Sequence, residues 1–263
     1  MSTILVQREG AICEITLNRP ESLNVLNPEM TQDLWHALSD AQNDEVRCVV
    51  LKAAGQHFMA GGDIRFFSQS LTLMARERHK AFKEFVSEVD PLVLGLSHLR
   101  KPVIAAVHGA VAGFGVSLSL LCDFVVAADD TFFNLAYINL GTSPDGSSTY
   151  FLPRVVGLRK AKQIAMLGER IDAQQAFALD LVTQVVPRAN LDEEVKKLAE
   201  RLANGPTFAY GHTKSLLQES FERSLPEQLA AEAESFASCA GTEDFAQGVQ
   251  CFLERKPTKF KGI

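Results

Sequence analysis

The sequence contains no C-x-x-C pair and no Cys/His cluster. Its five cysteines, Cys13, Cys48, Cys122, Cys239 and Cys251, are scattered and odd in number. A disulfide framework and a metal site both need closely patterned ligands, so neither is expected, and a reducing, cytoplasmic compartment fits. A basic stripe is also missing. The net charge is −6, and the only adjacent lysine pair, Lys196-Lys197, stands among Glu193, Glu194 and Glu200. That is a solvated helix face, not a footprint for nucleic acid or anionic lipid. No stretch approaches the ~18 apolar residues of a membrane span. The longest candidate, residues 102–123, is broken by His108, by glycines and by Ser117 and Ser119. The stretch MSTILVQREGAICEITLNRP shows no basic region followed by an apolar core and cleavage site, so no secretory leader is expected in it.

What is present is ample apolar side chain. Hydrophobic residues make up 46% and charged residues 22% of 263, which suits one large domain or one domain with an appendage. Residues 2–7 and 11–17 read as two short strands about a turn at Glu9-Gly10. Asn27 is placed to cap a helix that opens on Pro28 and carries Met30, Leu34 and Leu38 at i, i+4, i+8. Val46 to Lys52, Ile104 to Val107 and Phe124 to Ala127 read as buried strands, each followed by a helical stretch. The expected class is α/β, with parallel strands joined by helices. After Gly205-Pro206 the strand signals stop, and helices are predicted over 207–220, 226–240 and 243–255. A division follows: a core of residues 1–205 and a helical region of residues 206–263. The second is too small to hold a core alone and must pack on the first or on another subunit.

Chemistry concentrates in three segments. Gly141 to Pro153, GTSPDGSSTYFLP, carries Pro144-Asp145-Gly146, which is ordinary turn chemistry. Apolar segments run into and out of this turn, however, and a carboxylate held between them can serve as a base near neutral pH. The local sequence leaves both readings of Asp145 open. The other two segments are HFMAGGDI (57–64) and HGAVAGFGVSLSLLCDF (108–124), each after a buried strand. Neither fits a phosphate loop or a dinucleotide fingerprint. A turn that enters a helix leaves amides unpaired, and two such turns aimed at one spot make an oxyanion hole. The competing reading is close packing, where glycine is merely small.

AGGDI (60–64), KPVIAAVHGAVAGFGVSLSLLCDFVVAADD (101–130) and GTSPDGSSTYFLPRVVG (141–157) resemble the three core motifs of the crotonase (enoyl-CoA hydratase/isomerase) superfamily. LNRPESLNVLN near the start and LGERIDAQQAFALDLVTQVVP (167–187) resemble it too, in the same order. The resemblance implies a spiral of ββα repeats with a helical C-terminal trimerisation region, hence a homotrimer or a hexamer. It also implies an acyl-CoA substrate, with coenzyme A arriving as part of that substrate and no covalently bound cofactor. By motif position the thioester oxygen would sit on the amides of Ala60 and Phe114. Phe114 stands where the family usually has glycine, so its ring is expected to reshape the pocket. Ala60, Asp63 and Ile64, and less directly Leu23 and Val25, are implied as CoA contacts. Ser22 replaces a basic residue common at its position, so phosphate recognition must come from elsewhere.

The hydratases of this family use two glutamates, and this chain has Ser117 and Tyr137 at those positions. Serine and tyrosine are poor proton carriers near neutral pH. Asp145 remains, in a Pro-acidic-Gly turn that resembles the enoyl-CoA isomerases and the epoxyphenylacetyl-CoA isomerases. The implied reaction is double-bond migration with Asp145 as base, its carboxyl raised by Phe133, Phe151 and Leu152. Aryl-CoA dehalogenases, where such a carboxylate is a nucleophile, resemble this turn as well. Hydration without the glutamate pair, and a crotonase-like binding protein without catalysis, are the alternatives. Tyr137 is expected to line the acyl pocket or simply to fill space, and the same choice holds for Phe66, Phe67 and Met74. His57 and His108 are expected to bond to backbone, and Asp123 to be structural.

Overall fold

A computed structural model describes residues 2–263. The chain opens with a hairpin of β1 (Ile4–Glu9) and β2 (Ile12–Leu17), with Ile4 opposite Leu17. Helix α1 (Pro28–Asp40) starts as expected: the Asn27 side chain accepts from the Met30 N–H at 2.9 Å, and Met30, Leu34 and Leu38 are buried. There follow β3 (Cys48–Ala53), α2 (Ile64–Gln69), α3 (Ala75–Ser97), β4 (Val103–Val107), β5 (Ala110–Ala112), α4 (Phe114–Leu120), β6 (Phe124–Ala128) and β7 (Phe132–Asn134). Then come α5 (Ser148–Val156), α6 (Leu158–Leu167), β8 (Ile171–Asp172), α7 (Ala173–Ala178), β9 (Gln184–Val186) and α8 (Leu191–Ala203). The last three helices are α9 (Thr207–Glu219), α10 (Leu225–Ala240) and α11 (Glu243–Glu254).

The main sheet has the order β1-β2-β3-β4-β6-β9, antiparallel in its first pair and parallel thereafter. Its central strands are covered on both faces, which is why they read as continuous apolar runs. Val49, Leu51, Ala105 and Val107 point into the larger core with α1 and α3. Val50, Ile104 and Ala106 point into a second core against Val195, Ala199 and Leu202 of α8.

A second, smaller sheet was not legible beforehand. Its order is β5-β7-β8, and Met59 joins it through a parallel bridge to Val111. Each repeat therefore runs from a main-sheet strand to a short strand or bridge, then onward to a helix. Because β5 and the Met59 bridge lie inside the two glycine segments, this layer sets those segments side by side.

The three C-terminal helices occur where the sequence predicts them. Lys214 of α9 reaches Asp123 Oδ2 at 2.9 Å, and the same oxygen accepts from the Val103 N–H at 2.8 Å. Asp123 is thus a structural tie, as expected. Arg47 fastens the chain end, donating to Thr207 Oγ1 at 3.0 Å and to the Phe260 carbonyl at 3.2 Å. Among the described residues no helix is long and apolar enough to cross a membrane.

Candidate active site

The loop before α1 anchors one side of the site. Asn24 is fully buried: its Oδ1 accepts from the Arg19 N–H at 2.8 Å, and its Nδ2 donates to the Ala54 and His57 carbonyls, both at 2.9 Å. Leu23 and Asn24 both hold left-handed backbone, with φ of 56° and 54°, a conformation asparagine tolerates better than most. The side-chain amide bonds compensate for that strain. Sequence reading passed over Asn24, although an Asn flanked by apolar residues in a turn-rich loop was a usable signal.

The pinned loop decides which amides of 60–63 are free. The Ala60 N–H donates to the Leu23 carbonyl at 3.0 Å, so the expected oxyanion donor is already taken. Leu26 donates to the Gly61 carbonyl at 2.8 Å and accepts from the Asp63 N–H at 3.0 Å, forming a parallel bridge at Gly62. In such a bridge the groups of the flanking residues face the partner and those of the bridging residue face away. Among the described residues the Gly62 N–H has no acceptor. The Gly61 N–H lacks one as well, so two amides of this segment are unpaired, and that of Gly62 is the one facing away from the loop.

On the facing segment the Phe114 N–H is unpaired. Gly113, at φ 51°, precedes α4, and Phe114 is the first helical residue, so its N–H has no intrahelical partner. Glycines make the approach possible. A Cβ on Gly113 would lie 3.1 Å from Gly61 Cα, and one on Gly61 would lie 3.4 Å from Gly113 Cα. Gly62 and Phe114 directly follow this contact. The close-packing reading is right for Gly115, whose Cβ would meet the Met59 carbonyl at 2.8 Å.

The Phe114 ring is turned inward. It is 4% exposed and does not line an open pocket. It packs beneath the turn that carries Asp145: a Cβ on Gly146, at φ 57°, would sit 2.5 Å from the ring.

Around Asp145 the structure gathers both positions where glutamates are lacking. Tyr137 Oη donates to Asp145 Oδ1 at 2.6 Å, and Ser117 Oγ donates to the Asp145 carbonyl at 3.1 Å. Ser148 Oγ donates to that carbonyl as well, at 3.1 Å. Burial pushes the Asp145 carboxyl above its usual range, the Tyr137 hydrogen bond works against this, and the charge of Asp90 on α3 adds to the rise. Burial, and then the neighbouring Asp145 charge, raise the Tyr137 phenol, which stays protonated. Phe133 and Leu152, expected to desolvate Asp145, belong to the large core, and Phe151 packs against it.

Apolar side chains extend from the free amide. A Cβ on Gly62 would lie 2.6 Å from the tip of the Phe67 ring. Phe67 stacks edge-on with Phe82 at 5.1 Å between centroids, and Phe66 meets Phe85 at 5.0 Å. Phe82 and Phe85 were missed, though their i, i+3 spacing on a helix was visible. All four rings are only partly buried. Met74 is 70% exposed and does not fill the core. Ile64 and Leu23 are exposed near the loop, and the Val25 carbonyl accepts from Arg19 at 2.6 Å. The Asp63 carboxylate caps α2 through the Arg65 N–H and pairs with Arg19 at 3.4 Å, so its charge has a structural use. The histidines bond to backbone as expected. His57 Nδ1 accepts from the Ala110 N–H at 3.1 Å, and His108 Nε2 lies 3.2 Å from the Gly55 carbonyl. Burial, reinforced by the charge of Arg188, pulls His108 down to about 4.

A two-sheet spiral thus brings the two glycine segments together, with the turn of the buried Asp145 packed on the second of them. The sequence family is specific: residues 7–263 match the enoyl-CoA hydratase/isomerase family model, and the chain belongs to that family. It is 36% identical to 1,2-epoxyphenylacetyl-CoA isomerase of Escherichia coli, over 100% of this chain and 99% of that protein. It is 32% identical to crotonyl-CoA hydratase of Syntrophomonas wolfei, over 98% and 97%. Among solved structures, an enoyl-CoA hydratase from Polaromonas superposes with a TM-score of 0.92 at 32% identity, covering 98% of this chain and 99% of that one. The fold is that of the crotonases.

Proposed function

We propose that this chain shifts a double bond along an acyl-CoA thioester, with Asp145 as the base and the amides of Gly62 and Phe114 holding the enolate oxygen. What carries the reading is the desolvated Asp145 carboxylate, with Ser117 and Tyr137 at the two positions where a hydratase would need acids. In the proposed step Asp145 takes a proton from C2 of a 3-enoyl thioester. The C–H electron pair moves into the conjugated system and charge develops on the thioester oxygen. Asp145 then returns the proton at C4, leaving a C2=C3 double bond. Removal of one oxyanion donor costs about 3–4 kcal/mol in comparable acyl sites, so a pair of amides is enough to make C2 acidic.

The acyl group enters this reading through the wall formed by Phe66, Phe67, Phe82 and Phe85. Such a wall favours apolar or ring-bearing chains, in line with the name of the E. coli relative. Hydration of a 2-enoyl-CoA is the second reading, favoured by the relatives named as hydratases. A homo-oligomer is part of the proposal too. Phe252, Leu253 and Phe236 on α10 and α11 are 82%, 77% and 69% exposed, and side chains of that size need a partner surface.

Turnover of matched 3-enoyl, 2-enoyl and arylacetyl-type CoA thioesters tests the proposal. Isomerisation should outrun hydration, and Asp145→Asn should lower it by about 10²–10⁴. High hydration of 2-enoyl-CoA with 3-enoyl-CoA untouched would refute the isomerase reading. An Asp145→Asn variant with normal turnover would refute the assignment of the base.

A further inference from the structure

The hydrogen bond between Tyr137 and Asp145 has no counterpart in the proton transfer itself, yet it governs what the carboxylate can do. The phenol meets Oδ1 at 2.6 Å, within the short range expected of a hydroxyl donating to a charged oxygen. The main chain of Asp145 is held separately, by Ser117 Oγ at 3.1 Å, Ser148 Oγ at 3.1 Å and the Ser148 N–H at 3.3 Å. Beneath the turn the Phe114 ring fills the space at Gly146. With the Asp145 carbonyl held by three donors, the Tyr137 hydrogen bond to one carboxylate oxygen sets the remaining side-chain rotation.

We propose that Tyr137 is a positioning residue: its phenol pins Oδ1 of Asp145, so that Oδ2 alone is left to exchange protons with the substrate. This deepens the isomerase proposal and rests on it for the role of Asp145. The bond also favours the charged form of a carboxyl that burial would otherwise neutralise. The charged groups around it are few. Asp90 on α3 acts on Asp145 from a distance and raises it, whereas α4 contributes Phe114 and Ser117, neither of which titrates. Tyr137 itself is held protonated by burial and by Asp145, so the clamp persists on the alkaline side.

The test compares the unmutated protein with Tyr137→Phe and with Tyr150→Phe, whose lost hydroxyl met Glu222 and not Asp145. Two readouts are taken: kcat against pH, and the titration of ¹³C-carboxyl aspartate followed by NMR, with Asp145 assigned by its loss in Asp145→Asn. A hydrogen bond to a charged group is worth one to two pH units in order of magnitude (about 1.5–3 kcal/mol). Tyr137→Phe should therefore move the Asp145 titration and the acidic limb of kcat upward by about that much, and lower the kcat plateau with KM little changed. Tyr150→Phe should leave the acidic limb in place. An unmoved Asp145 titration in a folded Tyr137→Phe protein overturns the proposal, as does an equal shift in Tyr150→Phe. The NMR titration needs no substrate, so it reads the clamp even if the isomerase proposal has failed on the CoA panel.

Discussion

Replacing Gly146 with alanine should disable the protein through geometry, without touching a reacting group. Gly146 sits at φ 57°, where a left-handed backbone costs an L-residue about 1–2 kcal/mol. The new Cβ would also fall 2.5 Å and 2.6 Å from two atoms of the Phe114 ring and 3.3 Å from Ser117 Cβ. That ring is buried and cannot swing into solvent, so overpacking adds about 1–3 kcal/mol. Gly146→Ala should lose about 2–5 kcal/mol in urea denaturation. Relief requires the turn to lift from the ring, which displaces Asp145 from the amides of Gly62 and Phe114. A displacement near 1 Å lowers kcat by roughly 10²-fold, whereas KM should change less, because the implied CoA contacts Leu23, Val25, Ala60, Asp63 and Ile64 are not on the turn that moves. The double variant Gly146→Ala/Phe114→Leu separates the two costs. The smaller side chain should relieve the clash but not the backbone strain, giving a favourable coupling of about 1–3 kcal/mol. Wild-type stability and kcat in Gly146→Ala, or zero coupling in the double variant, would refute the reasoning.

Asp145→Asn should stabilise the fold while it lowers turnover. Burial raises this carboxyl in the folded chain, so its contribution to stability is full below its unfolded value and is lost as pH rises through the folded value. Calorimetry should find the variant melting above the unmutated protein at pH 7, with the gap closing towards pH ~4. Lys214→Ala should cost about 3 kcal/mol, because it strands Asp123 in a site where the pair's side chains are 9% and 21% exposed. Asp123 is already raised by burial and is lowered by Lys214, so the loss should shrink in acid, where the carboxyl takes a proton. Light scattering should give the unmutated protein the mass of several chains, as proposed, and Phe252→Glu with Leu253→Glu that of one, since both side chains are largely exposed on α11. A single-chain mass without mutation would refute the proposed oligomer, and an unchanged mass in the variant would refute its seat on α11.

Sequence alone was enough for properties that depend on residue type and near neighbours. The cap at Asn27, the stripe of Met30, Leu34 and Leu38, the apolar runs of β3, β4 and β6 and the three C-terminal helices all follow from local geometry and periodicity. So does the free amide of Phe114, because the first residue of any helix has no partner four residues back. The short strands β5, β7 and β8 have too few residues to carry a period, and they appear only through their pairing. The unpaired amides show the same limit. Ala60 and Gly62 lie in one motif; which N–H is bonded is decided by Leu23 and Leu26, which come from a loop distant in sequence and held by the buried Asn24. Likewise the sequence showed Tyr137, Ser117 and Phe114 as departures from a pattern, each with its own local meaning. Only tertiary packing turned them into one support beneath Asp145, through a hydroxyl on its side chain, a hydroxyl on its carbonyl and a ring under its neighbour. A hydrogen bond depends on where the partner arrives in space, and a chain read in order carries residue chemistry but not that position.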